Sequence, residues 1–85
     1  MKNWLVYIVR CADGSLYCGI TNNLTKRLER HNKGTASKYT RSRRPVSLVA
    51  VREDLDKSQA LKLELKIKKA PSAQKIDLLK NGETI

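Results

Sequence analysis

The chain has 85 residues, with 18 Lys and Arg against 8 Asp and Glu, and its formal net charge is +10. This length suits one domain, and a hydrophobic content of 40% is enough for a small core and too high for a disordered tail. The apolar run Leu5 to Val9 is far shorter than the roughly 20 residues of a membrane-spanning helix. The start lacks the features of a signal peptide, so we expect one cytoplasmic domain over residues 1–85.

Basic residues are concentrated in two stretches, Leu24 to Arg44 and Lys57 to Lys75. This density of positive charge attracts polyanions and favours nucleic acid as the partner, whereas the alternative is a charge that serves solubility alone. A membrane surface is not expected, because no helix pairs a basic face with bulky aromatic anchors. The candidates for contacts with phosphates, and for stacking on a base, are Lys26, Arg30, Lys38, Tyr39, Arg41, Arg43 and Arg44.

Two strands, Asn3–Cys11 and Ser15–Thr21, are predicted around the turn Ala12-Asp13-Gly14. A three-residue hairpin loop places glycine at its left-handed third position, where Gly14 stands. The resulting register segregates an almost wholly apolar face from a mixed one, which a one-residue slip would not do. It also predicts that Tyr7 and Tyr17 share the mixed face and lie near each other.

The remaining elements follow from capping and turn signals. The first helix is expected to begin after Asn22 or Asn23 and to end before Gly34, with Arg27 and His31 four apart on one face. After it we predict a polar, basic loop over Thr35–Arg44, a strand over Pro45–Glu53, a helix from the Asp56 cap to about Lys69, and a last helix from Ser72 to Asn81-Gly82. The order is therefore β-β-α-β-α-α, an α+β fold.

Glu64 is out of place on the second long helix. At about 100° per residue it falls inside the apolar arc, which comprises Ala60, Leu61, Leu63, Leu65 and Ile67. A carboxylate that faces a core needs an ion-pair partner or a metal. The candidate partners are Lys68 and Arg27 or another arginine, and Mg²⁺ is the candidate ion because it often uses one carboxylate plus water and phosphate oxygens.

Three segments together resemble the GIY-YIG nuclease family. Leu5-Val6-Tyr7 and Tyr17-Cys18-Gly19 are similar to its two name-giving motifs, and Gly19 to Leu28 looks like the following motif with an arginine on the first helix. The helix around Glu64 looks like the one that supplies the family's metal-binding glutamate. The resemblance covers residues 3 to about 80, with small single-domain bacterial members as the most similar kind.

The resemblance implies a three-stranded, mostly antiparallel sheet flanked by helices. It also implies phosphodiester hydrolysis with one divalent ion, Mg²⁺ or Mn²⁺, held by Glu64. One of Tyr7 and Tyr17 is expected to be the general base and the other to hold water or phosphate. Arg27 matches the arginine that stabilises charge on the phosphate, and His31 matches a position suited to proton transfer or phosphate binding. The structural alternatives are half-buried sheet tyrosines, a solvated arginine and a plain surface or helix-end histidine.

Two functions therefore compete. The first is a DNA endonuclease, structure-specific or repair-related, with RNA as an alternative substrate. The second is a catalytically weak nucleic-acid-binding protein, or one that depends on a protein partner for targeting. In either case we expect a monomer or a weak dimer.

Overall fold

The computed structural model of the chain describes residues 2–81. Its first two strands, β1 (Trp4–Arg10) and β2 (Leu16–Thr21), form an antiparallel hairpin. Cys11 and Ser15 close a three-residue loop through a 2.8 Å backbone hydrogen bond, and Gly14 has φ +86°. The predicted loop and register are therefore confirmed.

A third strand, β3 (Ser47–Leu55), pairs antiparallel with β1, which gives the sheet order β2-β1-β3. This strand begins and ends two residues later than the predicted span Pro45–Glu53. Pro45 has no N–H for the ladder, and the backbone of Val46 pairs instead with the side-chain amide of Asn32 on the first helix. At the other end, register shifts along β1 carry the pairing on to Leu55.

The helix α1 (Leu24–Lys33) begins after the Asn23 cap and ends at Gly34, whose φ is +83°, as predicted. The prediction of an unbroken loop over Thr35–Arg44 was wrong, because the one-turn helix α2 (Lys38–Arg41) forms there. The Ser37 hydroxyl caps this turn by accepting a hydrogen bond from the backbone N–H of Tyr39. Such a short helix needs support from the rest of the fold, which polar composition does not reveal.

Two further helices complete the chain, α3 (Lys57–Lys69) and α4 (Ser72–Asn81). The predicted capping box is present, since the Asp56 carboxylate accepts from the Gln59 backbone and the Gln59 side chain accepts from the Asp56 backbone. The predicted stop at Gly82 lies outside the described residues. Within residues 2–81 no helix has the length and apolar character needed to cross a membrane.

The sheet has a hydrophobic cluster on each face. The larger contains Val6, Ile8 and Cys18 with residues of β3, α3 and α4, and the smaller contains Tyr7, Val9, Cys11 and Val46, against which Leu24 and Leu28 of α1 pack. The two faces are segregated as the predicted hairpin register requires.

The buried stripe of α3 is narrower than predicted. Ala60, Leu63 and Ile67 are buried, whereas Leu61 and Leu65 are 42% and 58% exposed, so the prediction of two core leucines was wrong. Helix α3 rests on β1 and the edge strand β2, and one side of the helix therefore remains open. Glu64 lies at the margin between the buried stripe and this open side.

Candidate active site

Tyr7 is a buried phenol at the centre of the site. It stands on β1 opposite Gly19 of the edge strand β2, and its side chain is 1% exposed. The ring crosses the backbone of β2 so closely that a Cβ at Gly19 would lie 2.5 Å from the Tyr7 hydroxyl. A glycine at position 19 is therefore required for the tyrosine to occupy this place.

The Tyr7 hydroxyl lies 2.7 Å from Nε2 of His31, and Nδ1 of the same ring lies 2.8 Å from the Thr40 hydroxyl. That hydroxyl is also 3.4 Å from the carbonyl oxygen of Ser37, which can only accept. We therefore assign Thr40 as donor to Ser37, His31 Nδ1–H as donor to Thr40, and Tyr7 O–H as donor to Nε2. In this arrangement the imidazole is neutral and Nε2 is the acceptor for the phenolic proton.

His31 and Thr40 are both fully buried, so the alternative of a plain surface histidine is excluded. Burial lowers the pKa of His31, and the nearby positive charge of Arg27 lowers it further. Burial also raises the pKa of Tyr7, with a further upward contribution from Tyr17 and a downward one from Arg27. At neutral pH the pair therefore consists of a protonated phenol and an unprotonated imidazole.

The depressed pKa of His31 predicts a pH dependence of stability. The unfolded chain binds a proton at this histidine below about pH 6.5, whereas the folded chain resists it, so stability falls as the pH falls through that value. We expect the Tm to drop between about pH 7.5 and 5.5, and the drop to be smaller in His31→Gln. His31 is the sole histidine of the chain. Equal pH slopes of Tm in both proteins would contradict the assignment.

Tyr17 belongs to a row of rings and charges beside this pair. Its ring meets the His31 ring edge-on at 5.2 Å and stacks on Tyr39 at 5.9 Å. The guanidinium of Arg43 lies 4.0 Å from the Tyr39 centroid, and its Nε donates to the Asp13 carboxylate at 3.1 Å. The hairpin loop and the segment after α2 are thereby joined around Tyr17.

A cleft of about 310 Å³ opens at the edge strand, and we call it the β2 cleft. Four of the five predicted catalytic residues line it, and the fifth, His31, stands behind Tyr7 as its hydrogen-bond partner. The sheet supplies two tyrosines, α1 supplies the arginine and α3 the glutamate. The full lining is Trp4, Tyr7, Tyr17, Gly19, Ile20, Arg27, Lys57 and Glu64.

The Glu64 side chain is only 16% exposed, and its carboxylate lies 3.5 Å from the Lys68 ammonium. Within residues 2–81 this is its ion pair, so the predicted alternative with Lys68 is the one observed, and no pair with Arg27 forms there. The same part of the chain contains no group of three or more His, Cys, Asp or Glu side chains suited to a metal. A single carboxylate fits an ion such as Mg²⁺, which completes its shell with water and phosphate oxygens.

The predicted nucleic-acid contacts comprise six basic residues and Tyr39, whose ring lies between Tyr17 and Arg43 and is 37% exposed. The six basic residues divide into two groups. Arg43 and Arg44 donate to carbonyl oxygens within the fold, Arg43 to Tyr39 and Arg44 to Arg41 and Asn32. Four others are exposed and make no side-chain hydrogen bond or ion pair within residues 2–81, namely Lys26, Arg30, Lys38 and Arg41. This second group carries the charge that is most accessible to a phosphate backbone.

Sequence reasoning missed three residues of the site. Thr40 gave no signal, because its role depends on the fold of α2 against α1. The alternation along the first strand places Trp4 on the apolar face of the hairpin, and Lys57 is one lysine of a basic stretch, so neither pattern points to a cleft. The separation of seven residues between Lys57 and Glu64 was the available signal, since it places both on one helix face.

The chain is similar to known proteins over most of its length. A family model of the GIY-YIG catalytic domain matches residues 3–77. The UPF0213 protein of Staphylococcus aureus is 46% identical over 80 residues, which cover 94% of this chain and 98% of that protein. The UPF0213 protein of Nitratidesulfovibrio vulgaris is 43% identical over 76 residues, 89% and 69% of the two chains. A solution NMR structure of a protein from E. faecalis has 38% identity and a TM-score of 0.63, covering 94% of this chain and 88% of that one.

Proposed function

The chain belongs to the GIY-YIG nuclease family, and on that premise we propose that it is an endonuclease that hydrolyses phosphodiester bonds of DNA with one divalent metal ion. The hydrogen-bonded chain from Tyr7 through His31 to Thr40, at the back of a cleft that also holds Arg27 and Glu64, is the observation that carries this proposal. It combines a proton acceptor, a cation and a hard metal ligand, which are the groups that phosphodiester hydrolysis requires.

Tyr7 is the general base in this proposal. Its oxygen takes a proton from the attacking water while its own proton passes to Nε2 of His31, 2.7 Å away. The raised pKa of Tyr7 makes a free buried phenolate costly, and a concerted transfer avoids forming one. The resulting imidazolium keeps its Nδ1–H bond to Thr40.

The other residues of the cleft act on the phosphate. Tyr17 holds the water or a phosphate oxygen, and the Arg27 guanidinium neutralises negative charge that develops on the phosphate oxygens. Arg27 also lowers the pKa of the Tyr7 phenol, which favours release of the phenolic proton to Nε2 of His31 as the water proton is taken up. One cation thus assists both the nucleophile and the reacting phosphate.

Glu64 would hold the metal, either Mg²⁺ or Mn²⁺. Its partly buried carboxylate faces the cleft beside the tyrosines, and Lys68 is the partner that it would exchange for the ion. When bound, such an ion polarises the phosphate and stabilises the charge of the transition state. Branched, nicked or damaged DNA is the proposed substrate class, which would place the activity in DNA repair.

The test is cleavage of labelled single-stranded, nicked, flapped, four-way and duplex DNA and one RNA, with Mg²⁺, Mn²⁺ or EDTA. We expect Glu64→Gln to lower metal-stimulated cleavage by at least about 100-fold, which corresponds to almost 3 kcal/mol of transition-state stabilisation. Glu53→Gln makes the same chemical change on the exposed end of β3 and is expected to cleave like wild type. Salt-sensitive binding without cleavage of any substrate would favour the accessory or partner-dependent protein.

A further inference from the structure

The outer wall of the β2 cleft contains a cation that the proposed mechanism does not use. Lys57 lines the cleft together with Trp4 and Ile20, and its ammonium lies 5.3 Å from the centroid of the Trp4 ring. A cation over an indole face is attracted by the ring quadrupole, which restricts a side chain that is otherwise flexible. The ammonium is thereby held beside the groups that would act on the phosphate.

The position of Lys57 on α3 aligns it with the proposed metal ligand. Glu64 is seven residues further on, almost two full turns, so both residues lie on one face about 10 Å apart along the axis. Lys68 extends the same face beyond Glu64. Other lysines of this helix, namely Lys62, Lys66 and Lys69, point roughly 120–180° away from Lys57.

The charge of Lys57 is unfavourable for the helix itself. It occupies the first position of α3, where the helix dipole favours acidic residues, and the first turn contains none. Within residues 2–81 Lys57 forms no ion pair with a carboxylate. Together with Arg27, it gives the cleft two cations that have no acidic partner in the described part of the chain. Such a surface favours an anionic ligand larger than one phosphate.

We infer that Lys57, supported by the Trp4 ring, binds a backbone phosphate next to the one that is cleaved. This inference rests on the proposed function, and it adds a second phosphate subsite to the reactive one. The helix α3 would then follow one strand, with Glu64 at the reacting phosphate and Lys57 at its neighbour. A phosphate that does not react is bound equally in the ground state and the transition state, so this contact serves affinity rather than the rate of the chemical step.

Trp4 provides the measurement, because it is the sole tryptophan of the chain and lies in the wall of the cleft. We would titrate wild type, Lys57→Gln and Lys62→Gln with labelled 12-mer single-stranded and duplex DNA in EDTA. The anisotropy of the DNA label would report binding, and the fluorescence of Trp4 would report contact with the cleft. Both variants lose one charge from exposed positions of α3, and only one of them loses the cation of the cleft. Circular dichroism and the Tm would verify that all three proteins are folded.

We expect DNA to change the fluorescence of Trp4. Lys57→Gln should bind DNA about fivefold more weakly, and the slope of the logarithm of its binding constant against the logarithm of the salt concentration should be smaller in magnitude by about 0.7–0.9. Lys62→Gln is expected to retain the wild-type affinity within about twofold, as surface charges outside a contact contribute little. On a substrate that is cleaved, Lys57→Gln should raise KM by a similar factor and leave kcat nearly unchanged.

The subsite would be overturned if the two lysine variants lost DNA affinity equally, or if DNA bound without any change in the fluorescence of Trp4. The DNA titration contains no metal and needs no cleavage, so its result tests the subsite independently of the proposed nuclease activity. Wild type that binds through Lys57 and cleaves nothing would overturn the nuclease, while it would support a phosphate-binding site at Lys57. If the protein cleaves DNA and the two lysine variants bind DNA with the same affinity, the nuclease would be supported and the subsite overturned.

Discussion

Tyr7→Phe is expected to lower the single-turnover cleavage rate by about 10²- to 10⁴-fold, the usual contribution of a general base, while DNA binding changes little. The substitution removes one oxygen and leaves the ring in its buried place on β1. It also leaves Nε2 of His31 without its donor, which costs about 1–3 kcal/mol of stability, so the Tm should fall as well. The measurements are a single-turnover rate at saturating enzyme, a binding constant in EDTA and a thermal melt.

Tyr17→Phe is the comparison that identifies the base. This variant is also expected to slow cleavage, but it leaves the hydrogen bond between Tyr7 and His31 intact. Its remaining activity should therefore still decline at acidic pH, because the imidazole becomes protonated. The remaining activity of Tyr7→Phe should lack this acidic decline, because no phenolic proton reaches His31. The opposite pattern would assign the base to Tyr17.

Gly19→Ala is expected to abolish cleavage almost as completely, although it removes no functional group. The new methyl group would lie 2.5 Å from the Tyr7 hydroxyl and 2.7 Å from the ring carbon that carries it. Because this ring is buried, it has little room to move, and overpacking of this kind costs about 1–3 kcal/mol. A displaced hydroxyl loses its alignment with His31, and a misplacement of about 1 Å lowers rates by about 100-fold.

Gly14→Ala is the matched control for this prediction. Gly14 has nothing within 4 Å of the position where its Cβ would be, but its φ is +86°, so alanine is strained there by the backbone alone. We expect a loss of about 1 kcal/mol of stability with an unchanged cleavage rate. If both glycine variants lost activity in proportion to their loss of Tm, the effect of Gly19→Ala would be general destabilisation rather than displacement of Tyr7.

The sequence predicts the hairpin and the long helices well because their signals are local. Gly14 identifies the loop length, and the alternation of apolar residues then determines which face each tyrosine occupies. Asn23 and Gly34 define the ends of α1, and the reciprocal pair Asp56 and Gln59 defines the start of α3. Each of these signals acts within a few residues, so no knowledge of the remaining fold is needed.

Features that depend on contacts between distant elements could not be predicted in this way. A buried hydrogen bond to His31 positions Thr40 and the turn of α2 around it, and the two residues are nine positions apart in the sequence. The exposure of Leu61 and Leu65 follows from the position of α3 over an edge strand, which the helical wheel alone does not contain. The contribution of Lys57 likewise requires the cleft to be seen in three dimensions.

The two hydrophobic clusters have a consequence for how activity is lost. Tyr7 belongs to the smaller cluster, and the helix of Glu64 is anchored in the larger one through Leu63 and Ile67. The strand β2 joins the two halves of the cleft, and in the described part of the chain it is an edge strand that pairs with β1 alone. Edges of this kind open locally at a lower free energy than the core. We therefore expect the arrangement of side chains in the β2 cleft to depend on the local stability of β2, and to be lost before β1 and the helices unfold.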